Sequence, residues 1–358
     1  MYLCEFLPRL GQVSIYVETP HPLKLITGIK FEENTLCISN PDENLILLPR
    51  LTGSKEGVVN DQQLTIKSIS HDKNQLSLRL EMPAAIRVAS SSTFMTMAAE
   101  NQLWSVRDLL LKTPKSKSNV NQFRFECAKC GTEVLDSESS KFGEMPLEFW
   151  HELMDFWHCH KPHEEHHNHN DKNYNGKLLL KPGFTYIGAS YLLVTGDRSV
   201  CSKCSLELGT FDQTNDSTKI SKWNLKLTYA DKIEEYPPYL LVYHSILDRI
   251  NSAGVRKFSV SLAGDKTCCL DIWVTAVGIN ISVNGKQYDN TLKTLYKFTS
   301  RAREDDVLEV PSVVWKSFEQ HLKSMTESMP KELHNLKISE EGIDEMFNVA
   351  YLVPSYAL

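Results

Sequence analysis

The chain has 358 residues, enough for two or three domains with a core each, and its 41% hydrophobic and 23% charged residues point to neither a disordered nor a fibrous class. A net charge of -6, from 39 basic against 45 acidic side chains, argues against a chain whose main work is neutralising phosphate backbones. No direct nucleic-acid binding is expected.

The opening "MYLCEFLPRLGQ" lacks the basic start and unbroken apolar stretch of a secretory signal. No run approaches the length of a membrane span, so no membrane partner is expected. The expected location is nucleus and cytoplasm. In such a reducing compartment the nine cysteines are better read as metal ligands, buried thiols or catalytic thiols than as disulfides.

Residues 13 to 82 read as a succession of strands, "VSIYVE", "LKLITGIKF", "TLCIS", "NLILLP", "QLTIKSIS" and "QLSLRLEM", punctuated by Pro, Gly, Asn and Asp. In the last, Leu76, Leu78, Leu80 and Met82 alternate with polar residues and line one face of a sheet. Leu103, Val106 and Leu110 lean towards a helix. The polar stretch "TPKSKSNVN", Thr113 to Asn121, reads as a linker.

Two CxxC pairs follow, Cys127 and Cys130 in "FECAKCGTEVL" and Cys201 and Cys204 in "VCSKCSLELG". Each sits after an apolar residue and is followed by Gly131 or Ser205 and then a strand-like run, the form of a zinc knuckle, whose tight turn lets two thiolates meet one ion. Together they supply four soft ligands for one closed, tetrahedral, structural Zn2+, with no open position for water.

Between the pairs, "PLEFWHELMDFWHCH" puts Leu147, Trp150, Met154 and Trp157 on one face of a helix that starts near Pro146. The helix ends at His158, Cys159 and His160. These are terminal polar residues and a core thiol, or Cys159 is a thiol activated by neighbouring imidazolium charge, or Cys159 or His160 replaces one knuckle cysteine at the metal. The next stretch contains a literal HExxH at His163, Glu164 and His167. A zincin needs both histidines on one face of a supported helix. From Lys161 to Lys177 the single apolar side chain is Tyr174, among Pro162, Gly176 and several asparagines, so this is a long, solvated His-rich loop.

Later, "EYPPYLLVYHSILDRINSAG" spaces Tyr239, Tyr243, Ile246, Leu247 and Ile250 helically and stops at Gly254. The strand-like "VRKFSVSLA" and "TCCLDIWVTAV" follow, then the tight-turn pair Asn284 and Gly285. In the second run Cys268 alternates with Leu270, Ile272 and Val274, which suggests a core strand. Val314, Phe318 and Leu322 mark a last amphipathic helix before Pro330. The expected fold class is α+β, with a β-rich N-terminal domain at 1–112 and a linker at 113–121. A zinc-knuckle module with the Trp-rich helix and His-rich loop follows at 122–212, then an α+β C-terminal domain at 213–358.

The order "CAKCG", "MPLEFWHELMDFWHCHKP", a polar loop, "IGASYLLV" and "VCSKCSLELG", with the closing "MFNVAYL", resembles the HECT-like family that binds ubiquitin-conjugating enzymes. The resemblance implies a ubiquitin ligase whose CxxC region and Trp-rich helix, including Trp150, Trp157 and His160, engage the conjugating enzyme. Its C-terminal half would serve ligase activity. Members are also linked to the endonuclease that cleaves pre-messenger RNA before polyadenylation, which makes that enzyme or its complex a second expected partner. A thioester route needs a nucleophilic, accessible cysteine. With four thiols given to zinc, Cys4, Cys37, Cys159, Cys268 and Cys269 remain, and Cys159 is the catalytic candidate. The alternative is a non-enzymatic zinc-stabilised scaffold that controls the endonuclease. For it, the carboxylates of Glu304, Asp305 and Asp306 are candidate phosphate mimics, or a solvated turn.

Overall fold

The computed structural model describes residues 1–7, 10–18, 28–32, 35–39, 44–47, 65–72, 75–81, 102–113, 122–145, 180, 182–303, 306–340 and 343–354. They group into two compact units, Met1–Gln102 with Tyr239–Leu358, and Leu103–Pro238.

The first unit begins with β1 (Tyr2–Leu7), β2 (Gln12–Glu18), β3 (Gly28–Glu32), β4 (Thr35–Ser39), β5 (Asn44–Leu47), β6 (Thr65–Asp72) and β7 (Gln75–Glu81). Period-two alternation decides which face is covered. Val13, Ile15 and Val17 of β2 stand opposite Leu80, Leu78 and Leu76 of β7, and all six are buried. Strands β3, β4 and β5 form a separate three-stranded antiparallel sheet.

The second unit contains α1 (Val106–Lys112), β8 (Phe123–Cys127), β9 (Glu133–Asp136), β10 (Lys141–Glu144), β11 (Phe184–Ile187), β12 (Tyr191–Thr195), β13 (Gly209–Asp212), β14 (Ser217–Ser221), β15 (Leu225–Tyr229) and β16 (Lys232–Glu235). One antiparallel sheet runs β16-β15-β8-β9, and a five-stranded sheet runs β10-β11-β12-β14-β13 with β10 parallel to β11. Phe125, Leu135, Leu225 and Leu227 bury one face of the first sheet.

Trp104 packs there too, fully buried against Phe125 and Tyr236, with φ at 57°, a strained backbone for a bulky residue. Its indole N–H donates to Glu234 at 3.2 Å, where the Lys112 ammonium (2.6 Å) and the Tyr229 hydroxyl (2.5 Å) also converge. Beneath it the Lys222 ammonium, wholly buried, donates to the carbonyls of Leu103 (2.8 Å) and Ala189 (3.1 Å). A buried polar group needs such partners.

The chain then returns to the first unit with α2 (Leu240–Ala253), β17 (Lys257–Leu262), β18 (Asp265–Val283), β19 (Lys286–Thr299), β20 (Val307–Val310), α3 (Ser312–Glu327), β21 (Asn335–Glu340) and β22 (Ile343–Leu352). Helix α2 buries Tyr243, Ile246, Leu247 and Ile250 and ends where Gly254 turns left-handed at φ 69°. Asn284 and Gly285, both left-handed, make the two-residue turn between β18 and β19. The long β18 pairs with β17 near its start and with β1 near its end, with register shifts and a left-handed Gly278 between. One ten-stranded sheet results, with the path β21-β22-β19-β18-β1-β2-β7-β6, β17 paired to β18 off that path, and β20 paired in parallel to β17.

The described residues therefore form a β-rich structure with three helices among them. Their grouping differs from the four-part division expected from sequence: the N-terminal strands share a sheet with the C-terminal part because β1 is hydrogen-bonded along β18. Residues 213–238, expected with the C-terminal domain, group with the cysteine-bearing unit, since β15 pairs with β8. The strand around Cys268 forms, but Cys269, Leu270, Ile272 and Val274 are its buried residues, and Cys268 is partly exposed. The Trp-rich helix, the HExxH and the His-rich loop lie outside the described residues.

Candidate metal centre

Each CxxC closes on the same backbone frame. In the first, the Gly131 N–H donates to the Cys127 carbonyl at 2.9 Å and the Cys127 N–H to the Thr132 carbonyl at 2.8 Å. In the second, the Ser205 N–H donates to the Cys201 carbonyl at 3.0 Å and the Cys201 N–H to the Leu206 carbonyl at 2.8 Å. Gly131 and Ser205 are both left-handed, as the turn requires. Cys127 ends β8 in the four-stranded sheet, and Cys201 follows β12 of the five-stranded one.

The two frames bring four sulfurs together. Cys127 Sγ lies 3.6 Å from Cys204 Sγ, Cys130 Sγ lies 3.6 Å from Cys201 Sγ, and all four fall within 4.8 Å of one another. Tetrahedral zinc with Zn–S bonds of about 2.3 Å sets its sulfurs about 3.8 Å apart. The donor set fits a closed zinc site, in which four thiolates leave no position for water or substrate.

Electrostatics agrees with that fit. The Thr132 hydroxyl, 3.2 Å from Cys130 Sγ, and the Thr132 backbone N–H pull the Cys130 thiol down to about 6. Backbone N–H groups of Cys204 and Lys203 lower Cys201. Cys204 receives the Leu206 N–H, yet burial and the facing thiols push it up to about 12. Thiols this crowded cannot all ionise without a cation between them, and N–H groups aimed at sulfur prepare the anionic form for one. A divalent ion here would supply structural cross-linking alone.

Cys127, Cys130, Cys201 and Cys204 are thus brought together as the spacing suggested. Cys4 and Cys269 are buried, and burial is the first cause that raises the thiols of Cys4, Cys268 and Cys269. Cys159, Trp150, Trp157, His160, Glu304 and Asp305 lie outside the described residues, as does the side chain of Cys37. Asp306 is described: its carboxylate sits 3.6 Å from the Arg249 guanidinium, and its backbone is left-handed.

Sequence reasoning missed Thr132, Trp104, Lys222 and Glu234. A Thr two residues after the second Cys of a knuckle is a readable signal for a hydroxyl and a backbone N–H within hydrogen-bond reach of the sulfur. The Trp104, Lys222 and Glu234 cluster joins residues far apart in sequence, with no local pattern to announce it.

The model of the HECT-like ubiquitin-conjugating enzyme (E2)-binding family matches residues 5–341. The Saccharomyces cerevisiae protein "Uncharacterized protein YJR141W" is 26% identical over 368 residues, which covers 94% of this chain and 98% of that relative. No solved structure matches the chain. With nearly its whole length matched, this chain belongs to the HECT-like ubiquitin-conjugating enzyme (E2)-binding family.

Proposed function

We propose that the chain binds a ubiquitin-conjugating enzyme through its zinc-stabilised unit and promotes transfer of ubiquitin from it. The family match over residues 5–341 carries the reading. The four-sulfur cluster supports a rigid platform: it ties loops of two sheets to one point, which limits the ordering cost when a partner docks. Cys159 is the thiol proposed for any thioester step, with Trp150, Trp157 and His160 at the partner surface, and the protein acts in nucleus and cytoplasm.

The test is a charging assay with full-length protein, ubiquitin, activating enzyme and a panel of conjugating enzymes. A reductant-sensitive ubiquitin adduct that disappears in Cys159→Ser is the expected result for transfer through the chain itself.

The raised thiols of Cys4, Cys268 and Cys269 disfavour a thioester at those three positions, and a second reading without catalysis is a binding protein that regulates the pre-mRNA 3′-end processing endonuclease. It predicts no adduct with any conjugating enzyme, together with direct binding of the purified endonuclease that changes its cleavage rate. In that reading Glu304, Asp305 and Asp306 remain the candidate contacts.

A further inference from the structure

The four sulfurs are not equivalent. Cys127 and Cys201, the first cysteine of each knuckle, are 0% and 3% exposed. Cys130 and Cys204, the second of each, are partly exposed. The 3.6 Å contacts cross between the knuckles: partly exposed Cys130 faces buried Cys201, and partly exposed Cys204 faces buried Cys127. Each partly exposed cysteine thus has a buried cysteine of the other loop as its neighbour.

We infer that Cys130 and Cys204 are the peroxide-reactive members of the cluster, and that oxidation joins sulfurs across the knuckles, Cys130 to Cys201 and Cys204 to Cys127. The inference rests on the metal-site reading but not on ubiquitin chemistry. Hydrogen peroxide is the oxidant. The Cys130 thiolate attacks one peroxide oxygen, the O–O bond breaks, and the departing hydroxide takes a proton and leaves as water, so that Cys130 becomes a sulfenic acid. The Cys201 thiolate then attacks the Cys130 sulfur. The S–S bond forms, the S–O bond breaks, and the second hydroxide leaves as water with another proton. Two thiolates have lost two electrons, and one peroxide has been reduced to two waters. Cys204 and Cys127 repeat the sequence with a second peroxide.

The sulfurs need to close by roughly 1.6 Å to reach a disulfide bond length of about 2.0 Å. Both bonds would span the two sheets of the unit, at sequence separations of 71 and 77 residues. A link across so long a stretch restrains the unfolded chain more than one closing a single CxxC turn. The sulfurs would give up their ion while keeping the two loops together, so oxidation would exchange one staple for another and leave the sheets intact.

The test uses the full, unmutated chain, because a cysteine variant of a structural site is prone to misfold. Zinc content is measured first: a chain isolated without zinc defeats the metal reading, and the sulfur pairing is then read on that material as isolated. The protein is exposed to graded hydrogen peroxide while released zinc is followed with a chromogenic chelator. A sulfenic-acid trap is added at early times, and non-reducing peptide mapping and far-UV circular dichroism follow. The expected results are early labelling at Cys130 or Cys204, peptides joined as Cys130–Cys201 and Cys127–Cys204, and a retained β spectrum. Any one of three findings overturns the inference: disulfides within the CxxC pairs, first labelling at Cys127 or Cys201, or thiols that survive peroxide sufficient to oxidise free cysteine.

Discussion

Ser205 occupies in the second knuckle the place that Gly131 occupies in the first, both with left-handed backbone, at φ 54° and 69°. A side chain costs about 1–2 kcal/mol in that conformation, and glycine avoids most of it. Ser205→Gly is therefore expected to stabilise the cysteine-bearing unit by about 0.5–1 kcal/mol. At Gly131 a Cβ would meet nothing within 4 Å, so Gly131→Ala carries the conformational penalty alone and should destabilise by about 1–2 kcal/mol. Urea midpoints of zinc-loaded protein check both, and shifts of the same sign would refute the equivalence of the two turns.

Purified protein should carry about one zinc per chain. Apparent zinc binding of about 10–16 kcal/mol is as large as the roughly 5–15 kcal/mol stability of a whole domain. Cys127→Ala, or exhaustive chelation, should therefore unfold the unit rather than soften it. Hydrogen exchange is the measurement, and protection should be lost across the strands of the cysteine-bearing unit, with β8, β9 and the Cys201–Leu206 turn among them. Full protection there after metal removal would mean that the cluster is a packed group of thiols.

Burial pushes the Lys222 ammonium down to about 7, against the pull of Glu144 and Asp108. The unfolded chain keeps that proton until about 10.5, the ordinary lysine value, so between roughly pH 7 and 10.5 it binds a proton that the folded chain lacks. Stability from this group must rise with pH across that window and be lowest below it. Lys222→Met should flatten the rise, seen as the difference between the two proteins' urea midpoints at pH 7 and 9. It also takes the ammonium donor from the Leu103 carbonyl, at a cost of about 1–3 kcal/mol, while the Ala189 carbonyl keeps the Tyr236 hydroxyl at 2.9 Å.

His321 stacks on Tyr239 with ring centroids 3.9 Å apart and places Nε2 3.0 Å from the Tyr351 carbonyl. Desolvation lowers its pKa from 6.5 to about 4. Between those values the unfolded chain takes the proton and the folded chain does not, so stability falls as pH drops from 6.5 towards 4. The loss is about 2 kcal/mol, since the ring keeps some exposure to solvent. His321→Gln keeps a donor for the carbonyl and removes the titration. Acid-unfolding curves should be shallower in the variant over that interval, and identical curves would count against the assignment.

What was legible in the sequence is local. Alternation in "QLSLRLEM" identified β7, helical spacing with Gly254 identified α2, and Asn284 and Gly285 identified the β18–β19 turn. Two CxxC pairs with Gly131 and Ser205 identified the cluster across a 71-residue separation, because each knuckle carries its own short signature. Pairing between distant strands has no such signature. Leu3 opposite Val283 cannot be read from either neighbourhood, so the shared sheet was missed. Trp104 and Glu234 escaped for the same reason: one salt-linked cluster is built from residues 130 positions apart.

The pairing of β1 with β18 also sets a timetable for synthesis. Tyr2 waits for Ser282, 280 residues downstream, before its side of the sheet can close. A ribosome adding about 5–20 residues per second leaves that first strand with an open edge for some tens of seconds. Open edges invite pairing with other chains, and the exposure of this one lasts as long as the intervening residues take to be made.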